Sequence, residues 1–270
     1  MARSGKARTN GQELYFEVHG EGPSLILVMG IGYDATLWTL AQLPALARRF
    51  RVVVFDNRDA GRSSKATGPY TIADMADDVV GLMDFLDLER AHVLGLSMGG
   101  LIAQELALRH GKRLERLVLS GCGAAPARTV YDPIQTWSWV KAHDPTGEAF
   151  LGQQLTWLLS SAFLRNAEAV QRTVALLSSN PNPVGPDAYD RQARAYLRHD
   201  ALDRLGGIVA PTLVVVGEQD LLTPPWMCRE VARSIPGARF EVIQGDGASH
   251  LVPIERPDDF NRLVATFLVA

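Results

Sequence analysis

The sharpest chemical feature of the chain is Gly95-Leu96-Ser97-Met98-Gly99-Gly100. It follows the apolar run 91–96 and precedes a stretch with apolar residues at helical spacing, so Ser97 falls in a strand-to-helix turn. In such a turn the flanking glycines let helix and strand pack closely, and the strained backbone pushes the hydroxyl into the open above a sheet. The bland alternative is a glycine-rich helix start that only packs tightly, and the strand-before, helix-after setting weighs against it.

A serine hydroxyl is a poor nucleophile at neutral pH, so it requires a base, and the base requires a group that orients it. Both types occur downstream. Val214-Val215-Val216-Gly217-Glu218-Gln219-Asp220 places a carboxylate just past an apolar run, and Gly245-Asp246-Gly247-Ala248-Ser249-His250 places an imidazole just past the next. Alone, Asp220 reads equally as a cap for the turn before Thr223-Pro224-Pro225, and His250 as a solvated loop residue; their strand-end positions together with Ser97 favour a nucleophile, base and orienter. Glu218 and Asp246 are the near competitors of Asp220. His19, His92, His110, His143 and His199 fall at a turn, a strand start, a helix end and within the central segment, and Ser120-Gly121-Cys122-Gly123 offers no acid.

Acyl transfer also needs donors aimed at the developing oxyanion. The backbone N–H of Met98 is one, and Gly30-Ile31-Gly32, a tight turn after the run 24–29, aims the Ile31 N–H as the second. Gly30, Tyr33 and Trp38, near that turn, and the tryptophans of the central segment are expected to line an apolar substrate pocket.

These residues need a frame. Short apolar runs at 24–29, 51–56, 91–96, 117–122, 211–217 and 240–244 are too continuously apolar for half-exposed strands. They alternate with helical patterns at 34–50, 72–86, 98–110, 224–235 and 258–268, which is an α/β pattern. Residues 3–8 and 13–18, joined through Asn10-Gly11, read as a hairpin. The alternation breaks over 124–205, where Trp137, Trp139, Trp157 and leucines recur at helical spacing with no strand-like run. The expected organisation is therefore a core of 1–123 and 206–270 carrying a helical cap, or lid, over the strand ends.

The 270 residues carry 47% hydrophobic content and a net charge of −3, with no basic run, which argues against nucleic acid or an anionic membrane surface as partner. A small molecule is expected, with a homo-oligomer left open. Two cysteines, Cys122 and Cys228, have neither metal spacing nor the number for a disulfide framework, which fits a reducing cytoplasm. Residues 1–8 are basic but no apolar stretch follows, so a leader is not expected, and no segment approaches the roughly 20 apolar residues that cross a bilayer.

Residues 95–100, the loop Asp56-Asn57-Arg58-Asp59-Ala60-Gly61-Arg62-Ser63, Gly217-Glu218-Gln219-Asp220 with Thr223-Pro224-Pro225, and His250 followed by Glu255-Arg256-Pro257 resemble the α/β-hydrolase superfamily. The resemblance spans almost the whole chain outside the central segment, and within the superfamily the patterns are similar to those of the 3-oxoadipate enol-lactonases and the aclacinomycin methylesterases. It implies a mostly parallel twisted sheet of about eight strands flanked by helices, with the cap after the sixth strand. It also implies a cofactor-free serine esterase or lactonase in which Ser97, Asp220 and His250 form the triad and no metal takes part. The chain departs from many relatives in having Met29 where they have His, and Asp59 where they have Gly. The same triad would serve C–C bond hydrolysis or haloperoxidase-type perhydrolysis, and a non-catalytic ligand-binding member of the fold is the rival from another class.

Overall fold

The computed structural model describes residues 3–270, so Met1 and Ala2 of the basic start lie outside the described residues. Asn10 and Gly11 take φ of 46° and 74°, the left-handed pair that a two-residue hairpin turn demands. They join β1 (Arg3–Thr9) to β2 (Gln12–His19) in antiparallel register. The other strands are β3 (Ser24–Val28), β4 (Arg51–Phe55), β5 (Ala91–Leu96), β6 (Leu114–Ser120), β7 (Thr212–Gly217) and β8 (Arg239–Ile243). Together they form one eight-stranded sheet of order β1-β2-β4-β3-β5-β6-β7-β8, parallel from β4 to β8.

Period-two alternation splits the strand residues between two cores. Ile26, Val28, Val93 and Val214 pack on one face, and Leu25, Leu27, Leu94 and Val215 on the other. The first face is covered by α3 (Ile72–Phe85) and α4 (Met98–His110), the second by α1 (Thr36–Thr39) and α2 (Gln42–Leu46). Helix α3 opens on a capping box in which the Thr71 hydroxyl accepts from Asp74 N–H and the Asp74 carboxylate accepts from Thr71 N–H.

Between β6 and β7 the described residues contain no strand. The chain instead runs through α5 (Pro133–His143), α6 (Glu148–Leu158), α7 (Ser161–Leu164), α8 (Ala167–Ser178) and α9 (Pro186–Leu197). After β7 come α10 (Pro225–Ser234), α11 (Val252–Glu255) and α12 (Pro257–Val269).

Three expectations are corrected. The pattern at 34–50 is two short helices, because Pro44 lacks an N–H and its ring would strike the Leu40 carbonyl of a continuous helix. Strand β6 begins earlier than the run 117–122, at Leu114, and ends at Ser120 because Gly121 turns to φ 50°. The last strand is a half-buried edge rather than part of the buried sheet, as β8 pairs with β7 alone.

Candidate active site

After β3 the chain crosses to β4 on one side and returns to β5 on the other, so β3 and β5 flank the point where strand order reverses. In open α/β sheets ligands bind outside the strand C-termini at such a point. Ser97 leaves β5 there with φ 57° and ψ −123°, one of four non-glycine residues with positive φ among those described. The strain is held from both sides: Ser97 N–H donates to Ser120 O at 2.9 Å, and Gly100 N–H donates to Ser97 O at 2.8 Å. A Cβ on Gly95 would lie 2.2 Å from Gly99 O, and one on Gly99 would lie 2.1 Å from Val28 O. Backbone meets backbone at this turn, which explains why the motif needs its glycines.

The loop after β3 closes on the same spot, since a Cβ on Gly30 would stand 3.1 Å from Ser97 Cβ. From the loops after β7 and β8 come Asp220 and His250, both buried, with Nδ1 2.9 Å from Asp220 Oδ2. The carboxylate also accepts from Leu222 N–H at 2.9 Å, Thr223 N–H at 2.8 Å and the Thr223 hydroxyl at 2.9 Å. Four partners fix its orientation in a buried setting, where an unpaired carboxylate would be costly. Gly121 makes the space: a Cβ there would sit 3.2 Å from Asp220 Oδ2 and 3.3 Å from His250 Nδ1.

Ser97 and His250 line one cleft of about 350 Å³, its open mouth included, with Ile31, Leu37, Trp137 and Gln154. The ring has a partner for Nδ1 and none for Nε2, and Ser97 Oγ has none among the described residues. No hydrogen bond joins the two here. Catalytic contacts of this kind commonly tighten only when substrate is bound.

The amides of Ile31 and Met98 have no backbone or side-chain acceptor among the described residues. Met98 is the first residue of α4, so its N–H lacks an intrahelical partner and sits at the positive end of the helix. The competing acids face elsewhere: Glu218 accepts from Gly245 N–H at 2.9 Å, and Asp246 is exposed. Burial pushes the Cys122 thiol up to about 12 and raises Cys228 as well, so neither supplies a thiolate nucleophile. Burial likewise raises the Tyr33 phenol, which stays neutral and donates to Gln154 Oε1 at 3.0 Å.

Gly30 and Tyr33 line the cleft, whereas Trp38 does not. It is 1% exposed within the core on the α1 side, and Leu37 takes the cleft position, because one residue along a helix turns the side chain by about 100°. Of the three expected tryptophans of the central segment Trp137 alone reaches the cleft, whereas Trp139 is exposed and stacks on His143, and Trp157 is half-buried against the core outside the cleft. Thr223, Gln154 and Glu255 were not expected to serve the site. Glu255 accepts from the Ser249 hydroxyl and, at 3.0 Å, from Ser160 N–H, so it ties the His250 loop to the central helices. The nearest sequence signals were the Thr223-Pro224-Pro225 and Glu255-Arg256-Pro257 tripeptides; nothing local marks Gln154.

Among the described residues no cluster of three His, Cys, Asp or Glu could hold a metal ion, and no helix is long and apolar enough to cross a membrane.

Comparison with known proteins finds relatives of this chain. The family profile described as alpha/beta hydrolase fold matches residues 23–257. A protein of Caulobacter sp. (strain K31), named "Putative carbamate hydrolase RutD", is 35% identical over 263 residues, covering 94% of this chain and 95% of its own. The crystal structure of the enol-lactonase from Burkholderia xenovorans LB400 superposes with a TM-score of 0.87 at 33% identity, covering 98% of this chain and 100% of its own. A thermophilic esterase from Thermogutta terrifontis, studied with malate bound, has a TM-score of 0.86 at 30% identity, with 98% of each chain covered.

Proposed function

This chain belongs to the alpha/beta hydrolase fold family, and from that premise we propose that it cleaves neutral carboxylic esters or lactones with Ser97 as nucleophile, His250 as base and Asp220 as the group that orients the imidazole. The observation that carries the reading is the strained Ser97 turn opening into the same cleft as a His250 ring locked on a four-fold-bonded Asp220.

In this reading His250 Nε2 takes the Ser97 proton as Oγ attacks the carbonyl carbon, and the Ile31 and Met98 amides hold the resulting oxyanion. Collapse of the tetrahedral intermediate expels the alcohol oxygen, which receives the proton from His250. Water, deprotonated by the same ring, then releases the acyl group and restores Ser97. The central helices between β6 and β7 act as the cap that closes the cleft, Trp137, Gln154 and Leu158 supplying its roof.

Cleft chemistry narrows the substrate. No Lys or Arg is among its lining residues, so a substrate carrying a carboxylate beside the scissile bond would bury that charge unpaired. A second reading, cleavage of a carbamate, is favoured by the 35% identical relative and uses the same acyl chemistry; the uncationic cleft suits a neutral carbamate ester better than a free carbamate anion.

The test is an ester panel with Ser97→Ala. We expect p-nitrophenyl butyrate and a neutral δ-lactone to turn over in the native enzyme, a dicarboxylate-derived lactone to be a poorer substrate, and Ser97→Ala to lose at least three orders of magnitude in turnover with folding intact. A fluorophosphonate should add to Ser97 and block it. Retained turnover by Ser97→Ala would overturn the assignment, and failure of all esters with phosphonate labelling intact would shift the reading to C–C bond or peracid chemistry.

A further inference from the structure

The loop that carries the Ile31 amide, between β3 and α1, is held by residues distant in sequence. Three consecutive peptide planes matter. The plane between Met29 and Gly30 is anchored from the core, because Asn57 Nδ2 donates to Met29 O at 2.9 Å. The plane between Ile31 and Gly32 is anchored from the central helices, because Gly32 N–H donates to Gln192 Oε1 at 3.0 Å. The middle plane carries the Ile31 N–H, which has no acceptor among the described residues, so its direction is set by its two neighbours.

Gln192 lies on α9, 160 residues from Gly32 in sequence, and is fully buried. Its Nε2 donates to Arg58 O at 3.0 Å, so a single planar carboxamide joins the loop after β3 to the loop after β4. One turn earlier on the same face, Tyr189 lies against Gly32, where a Cβ would come 2.7 Å from the ring and φ is 78°. Gly32 thus takes a conformation that needs glycine, and in exchange is freer to rotate unless something outside the loop holds it. The adjacent Arg191 makes a different contact: its guanidinium grips Asp59 through two bonds, of 2.9 and 2.7 Å, neither of which reaches the β3 loop. Asp59 stands at φ 70°, and its carboxylate also accepts from Tyr70 at 2.9 Å.

We propose that Gln192 is a positioning residue that aims the Ile31 N–H by fixing the Gly32 peptide plane, so that the central helices help build the oxyanion site as well as cover it. The proposal rests on the reading that Ile31 and Met98 stabilise an oxyanion.

The test compares Gln192→Met, which removes both bonds at similar length, with Arg191→Met, which loosens the same helix but leaves the Gly32 contact. Gln192→Met is expected to lower kcat for p-nitrophenyl butyrate about 10- to 100-fold with KM changed by less than about threefold. Its affinity for an aryl trifluoromethyl ketone, which forms an oxyanion on the serine, should fall by the same factor as kcat/KM, while affinity for the matching methyl ketone holds. Gln192→Glu, which keeps an acceptor for Gly32, should recover part of kcat. Arg191→Met should keep kcat within about twofold even where its melting temperature falls. If Gln192→Met does not fold, Gln192→Ala, whose vacated volume water can enter, is expected to show the same split. Unchanged kcat with a lowered melting temperature in the Gln192 variants would overturn the proposal, as would an equal kcat loss in Arg191→Met. Turnover that survives Ser97→Ala would instead bring down the underlying reading.

Discussion

Over residues 91–107, which span β5, the Ser97 turn and most of α4, Ser97 alone escapes full burial; over Ala167–Ser178, the whole of α8, no residue is buried. Both stretches carry apolar side chains. In the first they meet partners on both faces of the sheet, and backbone touches backbone at Gly95 and Gly99. In the second, Val170, Val174 and Leu177 share one stripe of a helix whose chief neighbour is the four-residue α7. Local opening free energies follow such differences, so the part proposed to do chemistry is rigid, whereas α8, which lines none of the cleft, is lightly held.

That contrast can be attacked at several points, from the strongest effect down. Asp220→Asn preserves the side-chain shape but removes the charge that orients His250, and should lower kcat about 10³- to 10⁴-fold with the melting temperature little changed, read by ester kinetics beside a thermal scan. Gly99→Ala drives a Cβ to within 2.1 Å of Val28 O, where neither backbone can yield cheaply. We expect a loss of more than about 3 kcal/mol in urea unfolding, and a mild effect would mean that the turn is looser than described.

The contact between α4 and the segment that follows α9 responds to acid. His199, where the chain leaves α9, is buried with Nδ1 3.7 Å from Glu105 of α4, and Arg204 and Asp200 also act on it. Burial lowers its pKa to about 4. Between that value and the usual 6.5 or so the unfolded chain binds a proton that the folded one refuses, so stability falls as pH drops through this window. Unfolding at pH 7 and pH 5 should differ by about 2 kcal/mol from this residue, and His199→Asn should flatten the difference.

The smallest effect belongs to α8. Leu176→Ala, at a position 42% exposed, should change stability by less than about 0.5 kcal/mol, against about 2–5 kcal/mol for Leu94→Ala in β5. Equal costs would erase the distinction between the two regions.

Much of the frame was legible because it is locally encoded. Asn10-Gly11 announces its own turn, the apolar runs announce a parallel sheet, and the glycines around Ser97 announce a sharp strand-to-helix passage. The order of Ser97, Asp220 and His250 along the chain also marked which loops to compare. Less was visible where direction rather than type decides. Leu37 and Trp38 are both apolar neighbours in one helix, and only the packing of α1 says which one reaches the cleft.

Sequence by itself therefore determined the alternation of elements, the strain at residue 97 and the candidate chemistry, since each depends on residues a few positions apart. Tertiary structure alone decided which loops meet at the reversal of strand order, that Thr223 and Gly121 shape the surroundings of Asp220, and that Gln192 grips a peptide 160 residues away. A hydrogen bond across that separation depends on how sheet and helices are stacked, and no short pattern in the chain records it.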